Sequence, residues 1–346
     1  MKTRIALGVC LLVVVVVMAS LSPGHAQKPD RPKAERQSAQ ADQAPDLPLI
    51  RDQGARFNPL KIALLKWYLA NRTIFVSIGA GEQPIGLCFD GANIWTANYN
   101  GNSVTKVRAN DGAVLGTFKV GGELYGVTFD GANIWSSNQA DNTVTKMRAS
   151  DGKVVGTFAA GIFPGWMTFD GENLWIPNNP SSQPGSVTQL RAADGKVVGN
   201  FPVGNAPIAA AFDGENVWVV NNGSASVTKL RASDGAILGT FAVGNSPIGI
   251  AFDGANIWVA NSGSDTITKM RASDGSVIGT FSAPNGPYGV AFDGTYIWVS
   301  GEIFSFVFRA SDGAMVGFQK LQAGGVAFDG AYVWMADTNQ NALIKF

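Results

Sequence analysis

The tripeptide Phe-Asp-Gly recurs seven times in this chain, at Phe89, Phe129, Phe169, Phe212, Phe252, Phe292 and Phe328. The spacings are 40, 40, 43, 40, 40 and 36 residues. Six residues after each phenylalanine stands a tryptophan: Trp95, Trp135, Trp175, Trp218, Trp258, Trp298 and Trp334. A period near forty restricts the chain to a repeat architecture, and the content of the repeat decides which one. In the copy from Pro247 to Ala283, Ile248–Phe252 is a short apolar run followed by the tight-turn pair Asp253-Gly254. Asn256–Ala260 is a second run, Thr266–Arg271 alternates, and Val277–Phe281 is a fourth run after Ser273-Asp274-Gly275. Four runs of about five residues, each ended by a turn, make a four-stranded antiparallel meander, and none is long enough for a helix pair. Such units are propeller blades.

The fold expected is therefore all-β, a seven-bladed β-propeller over residues 73–346. One blade cannot cover both of its apolar faces, whereas a closed ring buries each against a neighbour, so the seven tryptophans are read as filling the gaps between blades. The last copy stops at its third strand, Ala342-Leu343-Ile344-Lys345-Phe346. An orphan strand, Thr73–Ile78, precedes the first copy and matches the missing fourth strand. The N-terminal strand is expected to complete the last blade and leave no open edge.

The N-terminus addresses location. Met1-Lys2-Thr3-Arg4 is a short basic region, Ile5–Leu21 an apolar run, and Gly24 and Ala26 supply small residues for cleavage. Residues 1–26 are read as a cleaved signal peptide, since a membrane anchor needs about 20 apolar residues. The mature chain would then be periplasmic or secreted, without stable membrane insertion. It would also lose Cys10 and His25, leaving Cys88 as its lone cysteine and no histidine. Residues 27–56, rich in Gln, Ala, Pro, Lys and Asp, read as a disordered linker. In 57–72, Asn58 as N-cap and Pro59 as first residue start a short helix that packs against the propeller. Net charge is zero, with no basic stripe for phosphates, so nucleic acid is not an expected partner; a monomer is expected.

The motif Phe-Asp-Gly-x-Asn-Ile-Trp-Val-x-Asn, followed by Val-Thr-Lys-x-Arg and Ser-Asp-Gly, resembles the YVTN and NHL group of bacterial propellers. It is also similar to the streptogramin B (virginiamycin B) lyases, seven-bladed proteins with a related repeat. That second resemblance implies a magnesium-assisted elimination using histidine and glutamate. The mature chain has no histidine to carry over. Three positions after each tryptophan, where those repeats often hold an acid, stand Asn98, Asn138, Asn178, Asn221, Asn261, Gly301 and Asp337. No catalytic residue is transferred.

The remaining patterns read as structural. Asparagine at a loop start bonds its own backbone and organises the turn. Each third-strand arginine can pair with the aspartate of the following Asp-Gly turn. Cys88 fills a small slot held elsewhere by Thr or Ala. No Ser/His/Asp set, phosphate loop or cysteine/histidine metal cluster is present, and no cofactor is implied. The exceptions to the repeat carry more information. Blade three has a three-residue insertion within Asn178–Pro184, blade six places Phe304, Phe306 and Phe308 on its third strand, and Trp166 replaces a glycine or alanine found in every other copy.

Loops between second and third strands share one face of a propeller with the loops joining blades. That topology gathers Tyr99, Tyr125, Phe163 and Trp166 over one sector, with Asn98, Asn138 and Glu123 nearby. Trp166 either narrows the channel mouth or packs to compensate for Gly165. The expected role is non-catalytic recognition of a protein, glycan or small ligand of the cell envelope. An enzyme (a lyase, or a lactone hydrolase with a divalent cation) and a purely structural envelope module stand as alternatives.

Overall fold

The Asp-Gly turn builds this fold from its smallest unit, as the computed structural model shows. The structure describes residues 76–180 and 184–346. The expected signal, linker and short helix, together with residues 73–75 of the closing strand, lie outside the described residues. In the first copy Asp90 Oδ1 accepts the backbone N–H groups of Ala92 at 2.9 Å and Asn93 at 2.6 Å. Gly91 adopts a φ of 97°, a region only glycine enters cheaply. The other carboxylate oxygen accepts the Trp95 indole N–H at 2.7 Å. Tryptophan and aspartate make the same bond in the six other copies. One carboxylate thus folds the turn and fixes the indole, which is why the two residues keep a constant spacing.

The first blade comprises strands Pro84–Phe89, Asn93–Asn98, Ser103–Arg108 and Val114–Lys119, paired in order and antiparallel. Among the described residues seven sheets of four strands follow this plan. Their inner strands adjoin in sequence around a ring, and the last adjoins the first. The closing sheet combines Val326–Phe328, Val333–Asp337 and Ala342–Lys345 with the N-terminal strand Val76–Gly79. Val76 lies opposite Lys345 and Gly79 opposite Ala342, as closure by the N-terminal strand requires. The C-terminus also clasps both neighbours. Lys345 Nζ donates to the Ala109 carbonyl of blade one, and Phe346 stacks on Trp298 of blade six with centroids 5.8 Å apart. Phe346 fills a slot that blade six's own outer strand leaves open, because Gln319 stands where blade one has Phe118.

The core lies between blades. Trp95 is fully buried with Leu124, Ile134 and Met147 of the second blade. Six of the seven repeat tryptophans are fully buried, and Trp298 is half-buried. Each buried indole removes enough apolar surface to stabilise the ring by about 4–6 kcal/mol relative to exposure.

Lysines staple the same interface. Lys106 Nζ donates to the Ala149 carbonyl at 2.7 Å and the Ser150 carbonyl at 3.2 Å, both in the next blade. It crosses the Trp95 ring 5.0 Å from the centroid. Lys146, Lys229 and Lys269 repeat the arrangement. The arginines pair as expected, Arg108 with Asp111 at 2.9 Å, both side chains about half exposed. Such pairs are worth about 0–1 kcal/mol each.

The asparagines differ from expectation. Asn98 Nδ2 donates to Ser103 Oγ at 3.1 Å and Thr105 Oγ1 at 2.9 Å, third-strand hydroxyls instead of its own backbone. The reason is burial. Each of these asparagines ends a second strand and points into the sheet layer, where facing hydroxyls are its nearest partners.

Candidate functional site

Hydrogen bonds confirm which loops share a face. The Tyr99 backbone N–H donates to the Gln83 carbonyl at 2.9 Å, and that of Gln139 to the Glu123 carbonyl at 3.1 Å. Every second-to-third-strand loop so tied lies beside the loop leading into its own blade. Those leading loops turn at a left-handed residue: Gln83 at φ 54°, Glu123 at 50°, Phe163 at 47°, Ala206 at 49° and Ser246 at 46°. A side chain there costs about 1 kcal/mol. Partners from the preceding blade hold the corner; the Glu123 and Phe163 N–H groups donate to Asn102 and Asn142 Oδ1, each at 2.9 Å. The fold demands this backbone but not a particular side chain, and Phe163 there is 42% exposed.

Below the loops, the repeat position four residues before each Phe-Asp-Gly phenylalanine lies at the ring's interior. That position holds Ile85, Tyr125, Gly165, Ile208, Ile248, Tyr288 and Gly324. The Tyr125 and Tyr288 hydroxyls lie 2.8 Å apart and share a hydrogen bond between blades two and six, on opposite sides of the ring. Trp166 of blade three completes the cluster. Its indole stacks on Tyr125 with centroids 5.0 Å apart and planes at 28°, and meets Tyr288 edge-on at 5.3 Å. Its Nε1–H donates to the Tyr125 carbonyl at 2.9 Å.

One glycine makes room for that indole and a second lets the blade-four backbone approach. A Cβ at Gly126 would lie 2.7 Å from Trp166 Cδ1, and one at Gly165 would lie 2.2 Å from the Ile208 carbonyl oxygen. Because Gly165 lets blade three close in, the Trp166 N–H donates to the Ile208 carbonyl at 2.9 Å and its carbonyl accepts from Ala210 at 3.0 Å. The inner strand of blade three is correspondingly short, Thr168–Phe169. The indole therefore both fills the space beside Gly165 and remains half-exposed at the loop-rich end of the ring.

Burial pushes the Tyr125 phenol well above its ordinary pKa, and the neighbouring Tyr288 adds to the effect. Burial likewise raises Tyr288, outweighing its bond with Tyr125. Tyr99 is raised by burial and then by the Glu123 carboxylate, with which it hydrogen-bonds. All three phenols are neutral donors at physiological pH.

The structure thus brings Tyr99, Glu123, Tyr125 and Trp166 together, with Phe163 exposed on the adjoining loop. Asn98 and Asn138 lie fully buried beneath it, their amides engaged by third-strand hydroxyls. Sequence reasoning missed Tyr288 and Glu302, which blade six contributes from across the ring; Tyr288 raises the Tyr125 phenol, and the Glu302 charge raises Tyr288. The signal was available, since Tyr288 occupies the repeat slot of Tyr125 and Glu302 that of Tyr99. Cys88 is half-buried, and desolvation followed by the Asp90 charge keeps its thiol protonated. Among the described residues no group of three or more His, Cys, Asp or Glu side chains is arranged to hold a metal ion.

No protein-family model matches the chain, and no curated protein matches it. Solved structures do. Hydrazine synthase of Kuenenia stuttgartiensis aligns with a TM-score of 0.68 at 15% identity, covering 78% of this chain and 96% of that one. A streptogramin B lyase aligns with a TM-score of 0.66 at 16% identity over 78% of this chain and 96% of its own. A functionally unknown protein from Desulfotomaculum acetoxidans DSM 771 aligns at 0.63 and 14% identity, over 71% and 89%. The resemblance to the streptogramin B lyase propellers holds at the level of fold, which hosts unrelated functions.

Proposed function

We propose that this chain is an exported, non-catalytic recognition propeller that binds a saccharide of the cell envelope on its loop-rich face. The observation that carries this reading is the aromatic cluster of Tyr125, Trp166 and Tyr288, which joins three blades over the ring's interior. Partly exposed aromatic side chains suit the apolar side of a pyranose. Neutral phenols and the Glu123 and Glu302 carboxylates around them supply donors and acceptors for hydroxyl groups. With the phenols held protonated, these groups favour hydrogen bonding over proton transfer. Phe163 and Glu123 vary the rim at corners whose backbone the fold already fixes.

Isothermal titration calorimetry with soluble oligosaccharides, including peptidoglycan fragments, tests the reading. Saturable binding by the wild type, weakened at least tenfold in Trp166→Gly, is the expected result. Failure of every saccharide, unchanged binding by the variant, preference for peptides, or turnover of a streptogramin or lactone would each overturn it. Export predicts a mature N-terminus near Gln27 outside the cytoplasm; recovery of Met1 from a membrane fraction would contradict that part.

A further inference from the structure

The opposite face, where the Asp-Gly turns lie, carries a second departure from the repeat. In blades one, two, four and five a lysine ammonium sits over the blade's tryptophan and donates to two consecutive carbonyls of the next blade. Blade three has Gln189 in that position. Its Nε2 reaches only the Ala232 carbonyl, at 3.3 Å, and the amide supplies no charge above Trp175. A cavity of about 430 Å³ opens here, lined by Asp170, Glu172, Gln189, Arg191, Ala232 and Ser233. That volume lies within the range of small-molecule sites.

The charge has changed as well as the shape. Blade three loses a cation at Gln189 and gains a carboxylate at Glu172, where blades one and two have Ala92 and Ala132. The cleft is therefore two charge units more negative than its counterparts in blades one and two, and one unit more negative than that of blade four, which carries Glu215 but keeps Lys229. Arg191 does not offset this difference, since blades one, two, four and five have the same arginine (Arg108, Arg148, Arg231 and Arg271); here its Nε faces Asp194 at 3.2 Å. Carbonyls that elsewhere accept an internal ammonium, beside added negative charge and open volume, form a receptor for an ammonium from outside.

The geometry points to a binding site for a primary ammonium group, from a free amine or a peptide lysine, in the cleft between blades three and four. Calorimetric titration of the full chain with n-butylammonium chloride tests it. Tetramethylammonium, with equal charge and no N–H, and n-butanol, with the same chain and no charge, serve as controls. Binding of n-butylammonium alone is expected. Gln189→Lys supplies the ammonium internally, so it should weaken that binding at least tenfold while raising the melting temperature by about 2 °C. Glu172→Ala, which copies blade one, should weaken binding several-fold with the fold unchanged. A capped Ala-Lys-Ala peptide binding more tightly than n-butylammonium assigns the site to peptide lysines; weaker binding assigns it to free amines. Equal binding of tetramethylammonium, unchanged affinity in Gln189→Lys, or no binding by the wild type overturns the assignment.

Discussion

Blades one and three are built on one plan and differ at both ends. Blade one keeps the regular residues: Gly86 on the inner strand, Ala92 in the turn and Lys106 on the third strand, with a six-residue inner strand. Blade three holds Trp166, Glu172 and Gln189 at these positions and shortens its inner strand to two residues. Both still bury a tryptophan bonded to its turn aspartate at 2.7 Å. The parts shared by the blades make the ring. The parts that differ reach the two faces, where nothing in the ring requires them.

The largest effect should come from removing something every blade shares, a complete set of four strands. Deleting residues through Ile78 strips the outer strand from Ala342–Lys345 and exposes an edge. The melting temperature should fall by at least about 10 °C, or the protein should aggregate. Deleting only residues 27–56 should be nearly silent, and equal melting temperatures for the two truncations would break the closure account.

Next in size are the regular tryptophans. Trp95→Ala and Trp175→Ala should each cost about 3–5 kcal/mol in denaturant unfolding, because both leave a cavity between blades. A large difference between the two would mean that blade three is not built on the common core. Lys106→Gln copies blade three into blade one and should cost about 1–2 kcal/mol, since it removes charged hydrogen bonds to two carbonyls. No loss there would show that the staple is not stabilising.

Acid should act through the turns. Burial pushes the Asp90 and Asp130 carboxyls up, but bonds from Trp95 or Trp135 and from nearby N–H groups hold both below the usual carboxylate range. A lowered folded-state pKa gives stability that is present above the unfolded value and lost as pH falls through the folded one. Melting temperature should stay flat from pH 7 to about 5 and decline below about 4. Arg108→Ala should have the smallest effect, about 0–1 kcal/mol, because its partner Asp111 is equally exposed.

The fold was legible because one spacing recurs seven times, and each recurrence is enforced by a bond the sequence names, aspartate to tryptophan. The closing strand was legible from a missing fourth strand and an orphan one. The site was only partly so. Trp166 announced itself by replacing a small residue, yet Tyr288 reaches Tyr125 from blade six, 163 positions along the chain. Only ring closure brings them together, and tyrosine in a slot that also holds isoleucine looks like ordinary packing. The lysine staples were not legible in the sequence, because a carbonyl acceptor in the next blade has no side-chain signature. The asparagines were assigned to their own turns because burial depth is not written in a loop motif.

The most direct test of the division between ring and recognition compares melting temperature and saccharide affinity in Trp166→Gly and Trp95→Ala. The account predicts that Trp166→Gly melts within about 3 °C of the wild type, a loss near 1 kcal/mol, while its affinity drops at least tenfold. Trp95→Ala should melt far lower. If Trp166→Gly melts as low as Trp95→Ala, or binds saccharide as the wild type does, the irregular tryptophan belongs to the core and the division fails.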